Sequence, residues 1–258
     1  MPLLPSPLLP MLPLLAALLA PLLPAPAAQA QVAPEAVRQG TDAARELARL
    51  APEGSPATAL PRLSDPRAAP LLNALWNSQA VVAGRPQPEA GTPELQRWGD
   101  GAARVLRVYL TAFAANTANP AEAERRMAAF QDETTRAFTF LLRIGTTLQQ
   151  GARDRVRRLP PAQRQAEQAQ IDQGLRRMSL GLAQLSQGIL VQLGQPVLKP
   201  ENARLLATAV AEDLPLFASS LPTEARQELR QTTTRLLPTL RDPATRTQVE
   251  RIRQAVGS

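Results

Sequence analysis

The stretch that decides the fold is residues 162–193, AQRQAEQAQIDQGLRRMSLGLAQLSQGILVQL. Its apolar side chains recur at alternating steps of four and three, which is the spacing of one face of an α-helix. No proline interrupts the stretch, so we predict one long helix. The residues of the apolar face are Ile171, Leu175, Met178, Leu182, Leu185 and Ile189.

Glycine recurs every seventh position along one edge of this face, at Gly174, Gly181 and Gly188. Each glycine inside a helix costs about 0.5–1 kcal/mol relative to alanine. We therefore expect a compensating close approach of a neighbouring helix along this edge. Two other interpretations stay open: burial elsewhere offsets the cost, or the glycines line a functional groove.

Two more long helices precede this one. The first begins at Thr92-Pro93-Glu94, which combines an N-cap residue, a first-turn proline and an early acid. The second begins near Pro120 and continues to Leu159-Pro160-Pro161, where the prolines end it. Both carry apolar residues at alternating steps of three and four. Because short breaks join the three helices, we expect each to run antiparallel to its neighbour.

Shorter helices are predicted over 201–217, 223–237 and 244–256, and no stretch shows the alternation of a strand. The predicted fold class is therefore all-α: an antiparallel helical bundle over 92–258, with three long heptad-patterned helices and shorter C-terminal ones. Residues 31–91 contain many prolines, and we expect them to wrap the bundle or link to it. Within them, helices are predicted over 35–51 and 68–83, the second kinked at Pro70.

Residues 1–30 carry no charged side chain and end in Ala28-Gln29-Ala30. An apolar run followed by small residues is typical of a cleaved secretory signal, so we expect cleavage after Ala30 and a periplasmic or secreted protein. An uncleaved anchor is the alternative, although prolines keep the apolar runs far below the roughly 20 residues of a membrane span. Both Met1 and Met11 stay open as the start.

The chain contains no histidine and no cysteine, and its single lysine is Lys199. The absence of histidine and cysteine excludes the usual general base, the common nucleophile pairs and nearly all zinc and copper sites. Carboxylates remain, and the close pairs are Glu122/Glu124, Asp132/Glu133 and Glu212/Asp213. A hydrolase built on carboxylates alone is the weakest hypothesis, because neighbouring helical residues point in different directions. We expect no catalytic residue, no cofactor and no metal.

Positive charge concentrates at one corner. Residues 143–177 hold eight arginines against three acids. The candidates for binding an anionic surface are Arg153, Arg155, Arg157, Arg158 and Arg164. Such a corner could dock on anionic lipid or lipopolysaccharide phosphates. The simpler interpretation is a solvated helix end, where cations complement the helix dipole.

Aromatic residues are few, which disfavours nucleic-acid binding by stacking. Those on the first two long helices could line an apolar ligand cavity, or simply fill the core. They are Trp98, Tyr109, Phe113, Phe130, Phe138 and Phe140. The sequence thus favours an exported, non-catalytic interaction protein that binds an unknown protein or a small apolar ligand. An envelope-associated protein that docks through its arginines is the alternative, and the oligomeric state stays open.

Overall fold

A computed structural model describes residues 35–83, 85, 92–115 and 120–257. All regular structure in these residues is helical, which confirms the all-α class. The predicted signal over 1–30 lies outside the described residues. None of the described helices combines the length and the apolar character that crossing a membrane requires.

Helix ends agree closely with the sequence prediction, since prolines in the first turn mark several helix starts, among them Pro70, Pro161, Pro200 and Pro243. Asp242 also caps the last helix by accepting a hydrogen bond from the Thr245 amide at 2.9 Å. The helices are α1 (Glu35–Leu50), α2 (Ala69–Leu75), α3 (Ser78–Ala83), α4 (Thr92–Ala114), α5 (Pro120–Ala129), α6 (Gln131–Arg158), α7 (Pro161–Leu193), α8 (Pro200–Phe217), α9 (Thr223–Leu236) and α10 (Pro243–Ala255).

The prediction of a single helix over 68–83 is wrong. The helix breaks at Trp76, whose backbone leaves the helical region (φ −104°, ψ 39°), and α3 starts anew two residues later. Asn77 favours this restart, because its side chain accepts a hydrogen bond from the Ala80 amide at 3.0 Å. Pro70 lies in the first turn of α2, where a proline is tolerated and no kink results.

The second long helix is also divided. Phe130 separates α5 from α6 with non-helical angles (φ −116°, ψ 21°). Its ring packs edge-on against Tyr109, with ring centroids 5.8 Å apart, and the Arg62 guanidinium carbon lies 4.3 Å from its centroid. The Phe130 ring is therefore buried at the point where the helix breaks.

Helix α6 is the central element. It contacts α3, α4, α7 and α8, and nearly every side chain from Gln131 to Gln149 is buried. Helix α7 also packs on α8 and α9, and α8 packs on α10. A helix buried on most sides needs partners for its polar groups, which explains why α6 takes part in several of the networks described below.

The segment before α4 shares the core of the later helices. The Trp98 indole on α4 donates a hydrogen bond to the Leu75 carbonyl at 2.8 Å, and the Tyr109 hydroxyl donates to the Pro61 carbonyl. Leu47, Leu72 and Leu75 belong to the same buried cluster as the residues of α6 and α8. Residues 35–83 thus contribute to the same folded core.

Helices α1 and α4 approach closely at two glycines. A Cβ atom added at Gly40 would lie 2.1 Å from Trp98 Nε1. One added at Gly101 would lie 2.7 Å from the Ala44 Cβ. Neither distance is compatible with a side chain, so the lack of one lets the two helices pack at this separation.

Candidate functional site

The predicted basic corner lies on residues 150–177, which we call the arm and which are mostly exposed from Arg155 onward. The arm comprises the last turns of α6 and the first half of α7, joined at Leu159 and Pro160. Within 161–177, Ile171 is buried and most other residues are exposed. The apolar face predicted for α7 therefore lies fully in the core only in the second half of the helix, from Met178 to Leu193.

Three of the five predicted surface-binding arginines are exposed at the end of the arm: Arg155, Arg157 and Arg158. Arg157 forms an ion pair with Asp154 one helical turn earlier, at 2.9 Å. Exposed pairs of this kind contribute little to stability, so Arg157 can exchange this partner for another at small cost.

The other two arginines bind the protein's own backbone. Arg164 donates to the carbonyls of Arg157 (2.8 Å) and Leu159 (3.1 Å), which satisfies carbonyl groups at the end of α6. Arg153 is half-buried and donates to the Leu216 carbonyl at 3.3 Å. Burial, together with the neighbouring charge of Arg157, lowers the pKa of Arg153. The candidate corner thus divides into an exposed trio and two arginines engaged with carbonyls.

Arg143 does not belong to the basic corner, which corrects its inclusion in the region 143–177. It is buried on α6 and forms ion pairs with Glu212 and Asp213 of α8. Arg85, which follows α3, completes the network: its Nη2 lies 2.8 Å from Asp213 Oδ1, and its Nε donates to Thr147 Oγ1 at 3.1 Å. We call this arrangement the buried ion network.

Asp213 is the centre of this network, and its side chain has 0% exposure. Burial raises the pKa of Asp213, while the charges of Arg85 and Arg143 oppose the increase. A raised carboxyl pKa is often found at catalytic sites. Here both nearby cations bind the carboxylate directly, so the arrangement resembles a structural link between three parts of the chain.

The remaining carboxylate pairs are also engaged with neighbouring groups. Asp132 accepts hydrogen bonds from Lys199 Nζ and Asn202 Nδ2, both at 2.7 Å, whereas Glu133 accepts one from the Leu63 amide at 2.8 Å. Glu122 forms ion pairs with Arg125 and Arg126. The side chain of Glu124 lies outside the described residues. Each of these described carboxylates thus has at least one partner within the chain.

The aromatic residues pack against one another. Trp98 and Phe140 have ring centroids 4.8 Å apart, and the Phe113 centroid lies 5.4 Å from Phe130 and 6.2 Å from Tyr109. All of these rings are buried, as is Phe138. The rings therefore fill the core, which is the simpler of the two interpretations of the sequence.

The three glycines of α7 occupy different surroundings. Gly181 is buried, whereas Gly174 and Gly188 are half-buried. Close helix packing along this edge stays a prediction.

A site that the sequence analysis missed lies between the arm and the start of α9. It is a surface depression, whose polar lining includes Arg153, Asp172, Arg176, Ser179, Ser220 and Glu224. These residues come from α6, α7, the turn 218–220 and α9, so no local motif announces them. The buried amide of Gln149 lies behind Ser179, with its Nε2 2.6 Å from the Ser179 hydroxyl.

No group of three or more acidic side chains in the described part of the chain is arranged to hold a metal ion. No family model matches the sequence, and neither a curated protein nor a solved structure matches it.

Proposed function

We propose that this protein is a non-catalytic interaction protein of an extracytoplasmic compartment, and that the arm is its contact surface. The observation that carries the proposal is the exposure of residues 161–177. A helix in a folded protein is stabilised mainly by the apolar face that it buries. This half of α7 buries little apolar surface, so core packing does not account for its length, whereas contact with a partner does.

The composition of the arm supports a partner with negative charge. Residues 150–177 hold seven arginines against three acids. An excess of one sign on an exposed element attracts oppositely charged surfaces and accelerates their encounter. The uncharged part of the arm is rich in glutamine, whose amide both donates and accepts hydrogen bonds.

Two further features agree with the proposal. The apolar, proline-broken residues 1–30 and their Ala28-Gln29-Ala30 ending favour export. The absence of histidine and cysteine, together with partners within the chain for the described carboxylate pairs, favours binding over catalysis.

Site-specific photocrosslinking in cells that make the protein tests the proposal. A photoreactive residue replaces Gln165, Gln168 or Gln173 on the arm, one at a time. Matched controls replace Gln227, Gln231 or Gln254, which are exposed on α9 and α10. We expect one recurring crosslinked product from the arm positions and none from the controls. Equal crosslinking from both sets would contradict the proposal.

The contribution of charge is tested in the same assay. Replacing Arg155, Arg157 and Arg158 together by glutamine should abolish the arm crosslink. The matched control replaces three exposed arginines of α1 that also form ion pairs one turn apart, namely Arg38, Arg45 and Arg49. Loss of the crosslink in both triple variants would show that net charge, and not the arm, determines binding.

The second candidate function is docking on anionic lipid or lipopolysaccharide. It is favoured by the clustering of Arg155, Arg157 and Arg158 at the end of the arm, because each arginine near an anionic surface contributes about 1 kcal/mol. Co-sedimentation with phosphatidylglycerol vesicles distinguishes it from the first. Binding that disappears in the arm triple variant and persists in the α1 variant supports lipid docking, and its absence refutes it.

A further inference from the structure

The depression beside the arm combines opposite charges in equal number. Arg153 and Arg176 contribute two cations, and Asp172 and Glu224 contribute two carboxylates. Within the described residues, no ion pair joins any two of these four groups. Arg153 donates to a backbone carbonyl, and Asp172 accepts a hydrogen bond from Gln168 at 2.8 Å. Charges of both signs are thus present around one depression without neutralising each other.

Two serine hydroxyls form a further polar part of the lining. Ser179 Oγ and Ser220 Oγ lie 3.0 Å apart. Each is also within donating distance of a backbone carbonyl, that of Leu175 for Ser179 (2.9 Å) and that of Phe217 for Ser220 (2.6 Å). A hydroxyl has one proton to donate and two lone pairs. If both protons go to the carbonyls, the two oxygens remain as acceptors.

The Gln149 amide adds an unsatisfied group next to these serines. Gln149 is 1% exposed, and its Nε2 lies 2.6 Å from Ser179 Oγ and 3.5 Å from Ser220 Oγ. Its Oε1 has no hydrogen-bond partner among the described residues. Gln149 does not line the depression, and its Nε2 is the atom that faces the serines, so it acts by occupying one of the two lone pairs of Ser179 Oγ and leaves the other as an acceptor.

We propose that the depression binds a small zwitterion, in which an anionic oxygen group and a primary ammonium group lie a few bonds apart. The anionic group pairs with the guanidinium groups of Arg153 and Arg176. The ammonium group pairs with the carboxylates of Asp172 and Glu224 and donates hydrogen bonds toward the serine hydroxyls. A simple anion is attracted by the two arginines and repelled by the two carboxylates, and a simple cation the reverse, so either binds less favourably than a molecule that carries both charges. This inference goes beyond the proposed function and does not depend on it.

The ligand chemistry has two sources, a free small molecule and the phosphoethanolamine headgroup of a lipid. The purified chain is therefore titrated with phosphoethanolamine, with ethanolamine and with inorganic phosphate, and side-chain and backbone NMR shifts are followed. A second experiment measures binding of the purified chain to vesicles that contain phosphatidylethanolamine in phosphatidylcholine. Binding of the soluble probe alone identifies a free ligand, and vesicle binding that the soluble probe displaces identifies the headgroup.

We expect phosphoethanolamine to bind at least about fivefold more tightly than either single-charge probe, since it forms ion pairs of both kinds. Arg176→Gln and Asp172→Asn should each weaken it about two- to fivefold. Arg177→Gln is the matched control, because Arg177 is the exposed neighbour that does not line the depression. Arg176 and Asp172 are exposed, so both variants are expected to fold.

Two results would overturn the inference. Phosphate binding as tight as that of phosphoethanolamine, and strengthened by Asp172→Asn, would define a simple anion site. The depression would be an ordinary polar surface if none of the three probes changed the NMR shifts. The same conclusion would follow if Arg177→Gln weakened binding of phosphoethanolamine as much as Arg176→Gln.

Discussion

Substituting Gly40 by alanine tests the close contact between α1 and α4. The new Cβ would lie 2.1 Å from Trp98 Nε1 and 2.2 Å from Trp98 Cε2. The indole cannot simply rotate away, because it is fully buried, packs on Phe140 and donates a hydrogen bond to the Leu75 carbonyl. Either the indole loses that hydrogen bond or α1 moves outward.

The expected size of the effect follows from two opposing contributions. Overpacking a well-filled core costs about 1–3 kcal/mol. Replacing glycine by alanine inside a helix contributes about 0.5–1 kcal/mol of stabilisation. We expect a net loss of about 1–2 kcal/mol in the free energy of unfolding. For a chain of this size the loss corresponds to a decrease of about 2–8 °C in Tm.

Urea denaturation followed by circular dichroism at 222 nm measures this change. Gly194→Ala is the matched control, because its new Cβ would make ordinary contacts, at 3.4 Å from the Val191 carbonyl oxygen and 3.6 Å from Leu236 Cδ1. We expect the control to change stability by less than about 0.5 kcal/mol.

A double-mutant cycle attributes the loss to the Trp98 contact. Trp98→Phe removes the indole nitrogen that the new methyl group would meet, so Gly40→Ala should cost less in that background. A coupling energy of at least about 0.5 kcal/mol is expected for two residues in direct contact. A Gly40→Ala variant as stable as the wild type, or a cycle without coupling, would refute the reasoning.

Three further predictions concern charged groups. Asp213→Ala leaves two buried cations without their carboxylate, and we expect the free energy of unfolding, measured by urea denaturation, to fall by about 3–5 kcal/mol. Glu212→Gln is the control, because the Glu212 side chain is half exposed, and it should lower the free energy of unfolding by less than about 1 kcal/mol. Hydrogen bonds from Arg204 and Thr245 hold the pKa of Asp242 below its ordinary value of 3.8. The contribution of ionised Asp242 to the free energy of unfolding is therefore complete above pH 3.8 and declines as the pH falls through the lowered pKa. Asp242→Asn should weaken this decline, which denaturation at a series of acidic pH values measures. The hydrogen bond to Asp132 raises the pKa of Lys199. Asp132→Asn should consequently speed acylation of Lys199 by an N-hydroxysuccinimide ester at fixed pH, and an unchanged rate would contradict that pairing.

The sequence predicted the helices well because helix formation here is encoded locally. The start of α4 at Thr92 and the end of α7 at Leu193 follow from caps, prolines and apolar periodicity. The two errors, at Trp76 and Phe130, have a common cause. In both places a large aromatic side chain is buried where the chain leaves the helix, and periodicity along one helix contains no information about that tertiary packing.

Glycine positions illustrate the same limit. Regular spacing drew attention to Gly174, Gly181 and Gly188, where close packing stays a prediction, but it gave no sign of the close approaches at Gly40 and Gly101. Those two glycines lie on different helices and follow no repeat. Their role depends on Trp98 and Ala44 from the facing helix, so only the three-dimensional contact identifies it.

The candidate site was partly predictable. The sequence indicated the basic corner, and Arg155, Arg157 and Arg158 are exposed there. It could not separate these from Arg153 and Arg164, because Arg153 binds the distant Leu216 carbonyl and Arg164 binds carbonyls across the turn between α6 and α7, and neither contact leaves a pattern in the sequence. The depression combines residues from four elements, and for the same reason it has no signature in the sequence.

The buried ion network has a consequence for synthesis of the chain. Arg85 and Asp213 are 128 positions apart in sequence. At the usual rates of translation, the ribosome needs about 6 to 25 s to add the residues between them. During that interval the nascent chain carries Arg85 without its carboxylate. Helix α1 packs on α4 and α3 packs on α6, so these helices are covered before the ion network can close. The buried ion pair between Arg85 and Asp213 is thus a late event in synthesis, because it forms only after α8 has emerged.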